Sequence, residues 1–334
     1  MPHVLVAGRI HESGVERLRR AQGVTFQMVD EVSTEAFAPY VGTADAILVR
    51  TQPVPGSVIA QAPRLKIVSR HGVGYDAVDV EALNERGIAL AIIGDVNSVS
   101  VAEHTLMLML SVVHRTIAYD AATRSGQWVF RNSYQAIELF GKTVLIVGYG
   151  RIGRAVARLC AAFGMHVGIH DPFVDASRVV ADGFRPMPDL AVALGSADVV
   201  TLHVPGSKVL LGVRELALLK SGGVVINTGR GGLVDEDALA AGLAGGHLRG
   251  AGLDVFAAEP PDTSHPLFAS DRVVLSPHTA GLTEECAERM AVAAADNIIS
   301  FFEGRIDPAL VVNRAAIAPM FRQAEVNGAL RASK

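Results

Sequence analysis

Short apolar runs alternate with amphipathic stretches along almost the whole chain. In the first hundred residues HVLVAG, VTFQMV, DAILVR and KIVSR each have the length of one buried strand, with segments of ten or so residues at helical spacing between them. Strand, helix, strand, helix with short loops predicts a parallel sheet covered on both faces. Near Asn97 the pattern changes to a long helix-like segment running towards Gly126. Its core, SVAEHTLMLMLSVVHR, is apolar over more than one face, which predicts cover from more than one surface, interdomain or intersubunit. After the loop around Trp128 the alternation restarts with KTVLIVGYGRIG, followed by expected strands at HVGIHD, DVVTLHV, GVVINT, LRGAGLDV and RVVLS. A last long helix is expected from about Thr283 to Phe302, ahead of a weakly patterned tail.

The restart near Lys142 predicts a second sheet, because open twisted sheets rarely exceed about ten strands. Length agrees: 334 residues suit about two domains. Half of the residues are hydrophobic and 19% are charged, which excludes a disordered chain. The 33 glycines exceed the usual share of ~7% and point to tight turns or to backbone lying close against a ligand. Thirty basic and 34 acidic side chains leave a net charge of −4 without a run of one sign, which argues against nucleic acid as a partner. No stretch reaches the ~18–20 apolar residues of a membrane span, and MPHVLVAGRIHESG has too short an apolar run for a signal peptide. A cytoplasmic protein with no membrane partner is expected. Cys160 and Cys286 lie far apart in helix-like segments, with no spacing that suggests a metal or a dithiol. They read as buried small hydrophobes, and no metal site is expected.

Gly148 to Gly153, GYGRIG, matches Gly-x-Gly-x-x-Gly. Alone that is weak in so glycine-rich a chain. Its context is specific, because the strand KTVLIV feeds into it, the helix RIGRAVARLCAAFG leaves it, and the next strand ends in Asp171. That is the layout of a dinucleotide-binding βαβ unit. Gly148 permits the tight turn, Gly150 admits the pyrophosphate to the backbone, and Gly153 allows close helix–strand packing. Arg151 and Ile152 open the helix whose N-terminus faces the phosphates. Asp171 would bind the ribose 2′-hydroxyl and repel a 2′-phosphate, which favours NAD over NADP.

Three ionisable residues fall at the carboxyl ends of later strands: Arg230 after VVINTG, Glu259 after GLDVFAA and His278 after RVVLSP. Ligands of open α/β sheets bind there. Singly, each also fits a plainer role as a loop charge, a turn residue or a strand-end cap. Together they suit hydride transfer to a 2-keto acid. A guanidinium holds a carboxylate in bidentate fashion, a histidinium donates the proton to the developing alkoxide, and a carboxylate beside it favours its charged form.

With these motifs in view, the chain resembles the D-isomer-specific 2-hydroxyacid dehydrogenase family, and most of all its D-3-phosphoglycerate dehydrogenase branch. The matching stretches are VSRHGVGYDAVDVEALNERGI, NSVSVAEHTLMLML, GKTVLIVGYGRIG, VVINTGRGGLVDEDAL, GAGLDVFAAEPP and LSPHTAG, spread over roughly residues 45 to 305. The resemblance implies that Arg230 orients substrate, Glu259 is the dyad carboxylate and His278 the acid/base. It implies that backbone amides of Gly72, Val73 and Gly74 bind the substrate carboxylate. It places Asp254 near the nicotinamide, and Thr105, His203, Pro205 and Thr228 along the cofactor. The implied architecture is α/β, with two doubly wound parallel-sheet domains: a Rossmann NAD domain, 99–284, inserted into a flavodoxin-like substrate domain, 1–98 plus 285–334. The active site is expected in the cleft between them, and a homodimer is expected.

The chain also departs from the family pattern. HVPGSKVLLGV lacks the usual Leu-Thr and Thr-x-Gly-Leu of this loop, although Ser207 keeps a hydroxyl nearby. With no regulatory domain after residue 320, serine feedback is not expected. Arg50, Arg70 and His71 read either as contacts to a substrate phosphate or as ordinary strand-end charges. Phosphoglycerate, hydroxypyruvate, glyoxylate and larger 2-keto acids all remain open as substrates. The reading from another class is an NAD(H)-sensing interaction protein of corepressor type, since such proteins keep fold, NAD site and triad. Formate dehydrogenases of the same superfamily resemble the chain without a glutamate in the dyad, so Glu259 argues against that chemistry.

Overall fold

The computed structural model describes residues 1–206 and 208–318. Ser207 and the end of the tail, 319–334, lie outside the described residues. The chain divides into two compact units: Met1–Asn97 together with the segment from Thr283 onward, and Ser98–Leu282.

The first unit holds five strands, β1 (His3–Ala7), β2 (Thr25–Val29), β3 (Ala46–Val49), β4 (Ile67–Arg70) and β5 (Ala89–Ala91). They pair in parallel in the order β2-β1-β3-β4-β5, which is the flavodoxin-like order. The expected HVLVAG, VTFQMV, DAILVR and KIVSR strands form, and β5 joins them from a run too short to be read as a strand. Alternation within each strand builds two cores. Val4, Val6, Ala46 and Leu48 face the helix Glu284–Phe302, while Leu5, Ala7, Ile47 and Val49 face the opposite core around Phe37 and Leu83. That long helix starts where Thr283 accepts a hydrogen bond from the Cys286 N–H, a cap that satisfies one of the free amides of its first turn.

The second unit holds β6 (Thr143–Val147), β7 (His166–His170), β8 (Arg185–Pro186), β9 (Val199–Leu202), β10 (Gly223–Asn227), β11 (Leu248–Leu253) and β12 (Val273–Leu275). All pair in parallel, in the order β12-β11-β10-β9-β6-β7-β8. The strand order reverses at β6 and β9, which creates the crevice where open α/β sheets take ligands. β9 and β10 are buried on both faces, which accounts for their unbroken apolar sequence. Only the two-residue β8 had no apolar run to announce it.

The apolar segment after Asn97 is two helices, Ser98–Val113 and Thr116–Arg124, not one. They part at Arg115, which adopts left-handed backbone (φ 55°) while its guanidinium binds the side chain and carbonyl of Asp271. The first helix lies on β10 and β11, where Gly250 and Gly252 leave room for Val112 and Leu108. Part of the glycine surplus is therefore helix–sheet packing. No described helix is long and apolar enough to cross a membrane.

Candidate active site

β6 delivers the Gly-rich loop, and the three glycines do different things. Gly148 has φ +96°, and a Cβ there would stand 2.6 Å from the His203 carbonyl oxygen. A Cβ on Gly153 would stand 2.0 Å from the Gly148 carbonyl oxygen, so the helix Arg151–Ala162 can close on the loop only without one. At Gly150 nothing lies within 4 Å of that position, and no side chain caps the helix. Open space beside uncapped amides fits a dinucleotide pyrophosphate. Arg151 is exposed and Ile152 half-buried at the same helix start.

Asp171 follows β7 and is already held in place. One carboxylate oxygen accepts the Tyr149 N–H (2.7 Å) and the other the Phe173 N–H (2.9 Å), leaving further lone pairs for a ribose hydroxyl. Tyr149, between the first two glycines, is itself buried. Its hydroxyl donates to Asp182, and burial followed by that carboxylate pushes the phenol up to about 12.

The remaining cofactor candidates divide. His203 shares a hydrogen bond with Thr201, burial lowers its pKa to about 3, and its buried Nδ1 has no partner among the described residues. Pro205 is exposed beside it. Thr105 is fully buried, its hydroxyl bonded to the Val101 carbonyl and to Thr228. Its side chain is thus committed to the interior, with Thr228 the outer member of the pair.

The catalytic candidates converge at the carboxyl ends of β10, β11 and β12. Asn227, buried at the end of β10, accepts the Gly229 N–H and donates to the Arg230 carbonyl, which shapes the turn carrying Arg230. A Cβ on Gly231 would stand 1.8 Å from the Phe256 carbonyl oxygen, so this turn packs directly on the segment leading to Glu259. Glu259 receives the Phe256 N–H on one oxygen (3.1 Å), and on the other meets His278 Nδ1 at 2.8 Å. Burial opposes ionisation of Glu259, but the bonds from His278 and Phe256 and the charges of His278 and Arg230 outweigh it, holding the carboxyl below its ordinary range. An ionised carboxylate requires a donor, so Nδ1 carries hydrogen and Nε2 is left to exchange a proton with a ligand. The Glu259 bond raises the His278 pKa against burial and the Arg230 charge. Asp254, at the end of β11, is 1% exposed, and its carboxylate accepts from Ser276, Thr279 and Ala280 around His278. It is an anchor for the histidine turn.

Beside the dyad lies a cavity of about 420 Å³ lined by Phe256, Pro260, Phe268 and Leu275. A larger one, about 750 Å³, opens near the first residues of β6 and β7, Thr143 and His166, at the opposite strand ends from the chemistry.

In the first unit, the N–H groups of Gly72, Val73 and Gly74 donate to no protein acceptor among the described residues. The Arg70 guanidinium lies against Gly72. His71 is buried with Nε2 unpartnered among the described residues, and burial, then Arg70 and Arg50, lower its pKa to about 4.

The second unit is a doubly wound dinucleotide-binding fold with an Arg/Glu/His cluster beyond its strand ends. The sequence model of the D-isomer specific 2-hydroxyacid dehydrogenase NAD binding domain matches residues 106–280. The chain belongs to the D-isomer specific 2-hydroxyacid dehydrogenase family, and its cofactor is NAD. It is 40% identical over 312 residues to D-3-phosphoglycerate dehydrogenase of Mycobacterium tuberculosis, covering 92% of this chain and 58% of that one. The chain thus spans rather more than half the length of this curated relative. Among solved structures, a Thermus thermophilus protein is 34% identical with a TM-score of 0.84, covering 92% of this chain and 98% of that one. The D-lactate dehydrogenase of Aquifex aeolicus, solved with NAD and lactic acid, is 27% identical with a TM-score of 0.83, covering 90% and 96%.

Sequence reasoning did not single out Asn227, Ser276, His104 or Tyr149. Ser276 stands two residues from His278, and His104 is the one histidine of the helix Ser98–Val113. Both were visible signals.

Proposed function

We propose that the chain catalyses reversible, NAD-dependent reduction of a 2-keto acid to the D-2-hydroxy acid, with a phosphoglycerate-type substrate. The observation that carries the reading is the 2.8 Å bond between His278 Nδ1 and Glu259, beside Arg230 and within a dinucleotide-binding fold. When bound, the reduced nicotinamide supplies the hydride. Arg230 pairs with the substrate carboxylate and polarises the neighbouring carbonyl. His278, held protonated by Glu259, gives the Nε2 proton to the carbonyl oxygen as that oxygen becomes a hydroxyl. Glu259 stays ionised and keeps the ring oriented. Gly150, Arg151 and Ile152 would hold the pyrophosphate and Asp171 the ribose. His203, Pro205, Thr228 and Asp254 are proposed as further cofactor neighbours.

The substrate class rests on the first unit. Arg50 follows β3 and Arg70 ends β4, both at the carboxyl end of the first sheet, and the Arg70 guanidinium lies against Gly72 of the Gly72–Gly74 loop, an arrangement suited to an anionic group such as phosphate. A 40% identical relative being a D-3-phosphoglycerate dehydrogenase supports the same class. A homodimer fits the exposed Val99, Met107, Ile117, Trp128, Val129 and Tyr134 along one stretch of chain. A cytoplasmic setting fits two unpaired buried cysteines.

The test is NADH consumption with 3-phosphohydroxypyruvate, hydroxypyruvate, glyoxylate and pyruvate. The phosphorylated acid should show the highest kcat/KM. Consumption of the others but not of it would refute the substrate class. Silence across the panel with NADH binding retained would replace the enzyme reading with the sensor.

A further inference from the structure

Asp254 makes four of the hydrogen bonds that hold the turn carrying His278. Asp254 takes the Ser276 hydroxyl (2.6 Å) and the Thr279 N–H (2.8 Å) on one carboxylate oxygen, and the Ala280 N–H (2.9 Å) on the other. Its backbone carbonyl takes the His278 N–H at 2.8 Å. His278 itself sits at φ 53°, left-handed backbone that a residue with a Cβ adopts only when its surroundings impose it. The network has one further member. Because the Ser276 hydroxyl hydrogen points to Asp254, its oxygen is left to accept from His104 Nε2, which lies 2.8 Å away. His104 comes from the helix Ser98–Val113, whose neighbouring Leu108 packs against β11, so its position is fixed by the core.

We propose that Ser276 and His104 are positioning residues which act through Asp254 to hold the His278 turn, and so keep the His278 ring on Glu259. The kinetic part rests on the dehydrogenase reading above. The placement of the ring does not. The charged groups facing His278 are Glu259, Asp254 and Arg230, and an Asp254 carboxylate oxygen lies 3.5 Å from His104 Nε2.

The first readout is independent of turnover: the pKa of His278 followed by ¹H–¹⁵N NMR of its imidazole in the full chain. Wild type should titrate above the ordinary 6.5. Ser276→Ala should lower that pKa as the ring leaves Glu259, and Ser276→Thr, which keeps the hydroxyl, should restore it. His104→Leu leaves the Ser276–Asp254 bond possible and serves if Ser276→Ala fails to fold; it should shift His278 in the same direction. The second readout is kinetic. Displacing the acid by a fraction of an ångström should lower kcat about tenfold or more with NADH affinity unchanged. In a His278→Ala background the Ser276→Ala change should alter residual turnover less than about twofold, since the group it positions is gone. An unmoved His278 pKa in both Ser276→Ala and His104→Leu overturns the proposal, as does the same loss of kcat in the His278→Ala background. A wild-type protein without turnover but with the His278 shifts intact would remove the enzyme reading and leave the positioning role standing.

Discussion

Gly150→Ala separates folding from cofactor binding at a single methyl group. Gly150 has φ −74° and ψ −159°, extended backbone open to any residue, and its added Cβ meets nothing within 4 Å. As an N-cap, alanine is poorer than glycine by roughly 0.5–1 kcal/mol. The stiffer unfolded chain returns about 0.4–1 kcal/mol. The two effects nearly cancel, so Tm should stay within about 3 °C of wild type. The cofactor is affected differently. The methyl occupies the space through which a phosphate reaches the uncapped amides, and losing one hydrogen bond to a charged group costs about 1.5–3 kcal/mol. NADH should therefore bind about 10- to 150-fold more weakly in a fluorescence titration. Gly153→Ala is the control. Its Cβ would lie 2.0 Å from the Gly148 carbonyl oxygen, so overpacking of about 1–3 kcal/mol should lower Tm as well as affinity. Wild-type NADH affinity in a folded Gly150→Ala protein would show that the open space is not the pyrophosphate site.

Further outcomes follow from the same geometry. His278→Ala should cost about 10²–10⁴ in turnover while NADH still binds, and unchanged turnover removes it from the mechanism. Keto-acid reduction needs protonated His278, whose pKa is raised, so kcat/KM should be full at low pH and fall as pH rises through a midpoint above 6.5. Glu259→Gln should move that midpoint down, and an unmoved midpoint would break the dyad assignment. Arg230→Lys should raise KM and lower kcat for several 2-keto acids, because a point charge lacks the bidentate fork; unaffected saturation would exclude the clamp. Asp171→Ser should narrow the preference for NADH over NADPH in paired titrations, and an unchanged ratio would assign cofactor choice elsewhere.

The two sheets were legible because β3, β9 and β10 are buried on both faces and so read as continuous apolar runs. β5 and β8 were not, since three and two residues carry no period. The break at Arg115 was hidden because its cause, Asp271, lies far along the chain. The positions of Arg230, Glu259 and His278 beyond strand ends could be read from the sequence. The bonds that aim them could not: Asn227 and Ser276 act through turns whose shape appears only once β10, β11 and β12 are side by side. The same holds for Thr105, whose hydroxyl looks inward to Thr228.

Tyr149 has a thermodynamic consequence. Its buried ring and its bond to Asp182 tie the Gly-rich loop to the neighbouring helix end, while its N–H fixes Asp171. The loop is therefore ordered before any nucleotide arrives, and little conformational entropy is left to lose on binding. Calorimetry should find NADH association driven by enthalpy with a small entropic penalty. Tyr149→Ala, which leaves every ligand-facing atom in place, should make that penalty larger.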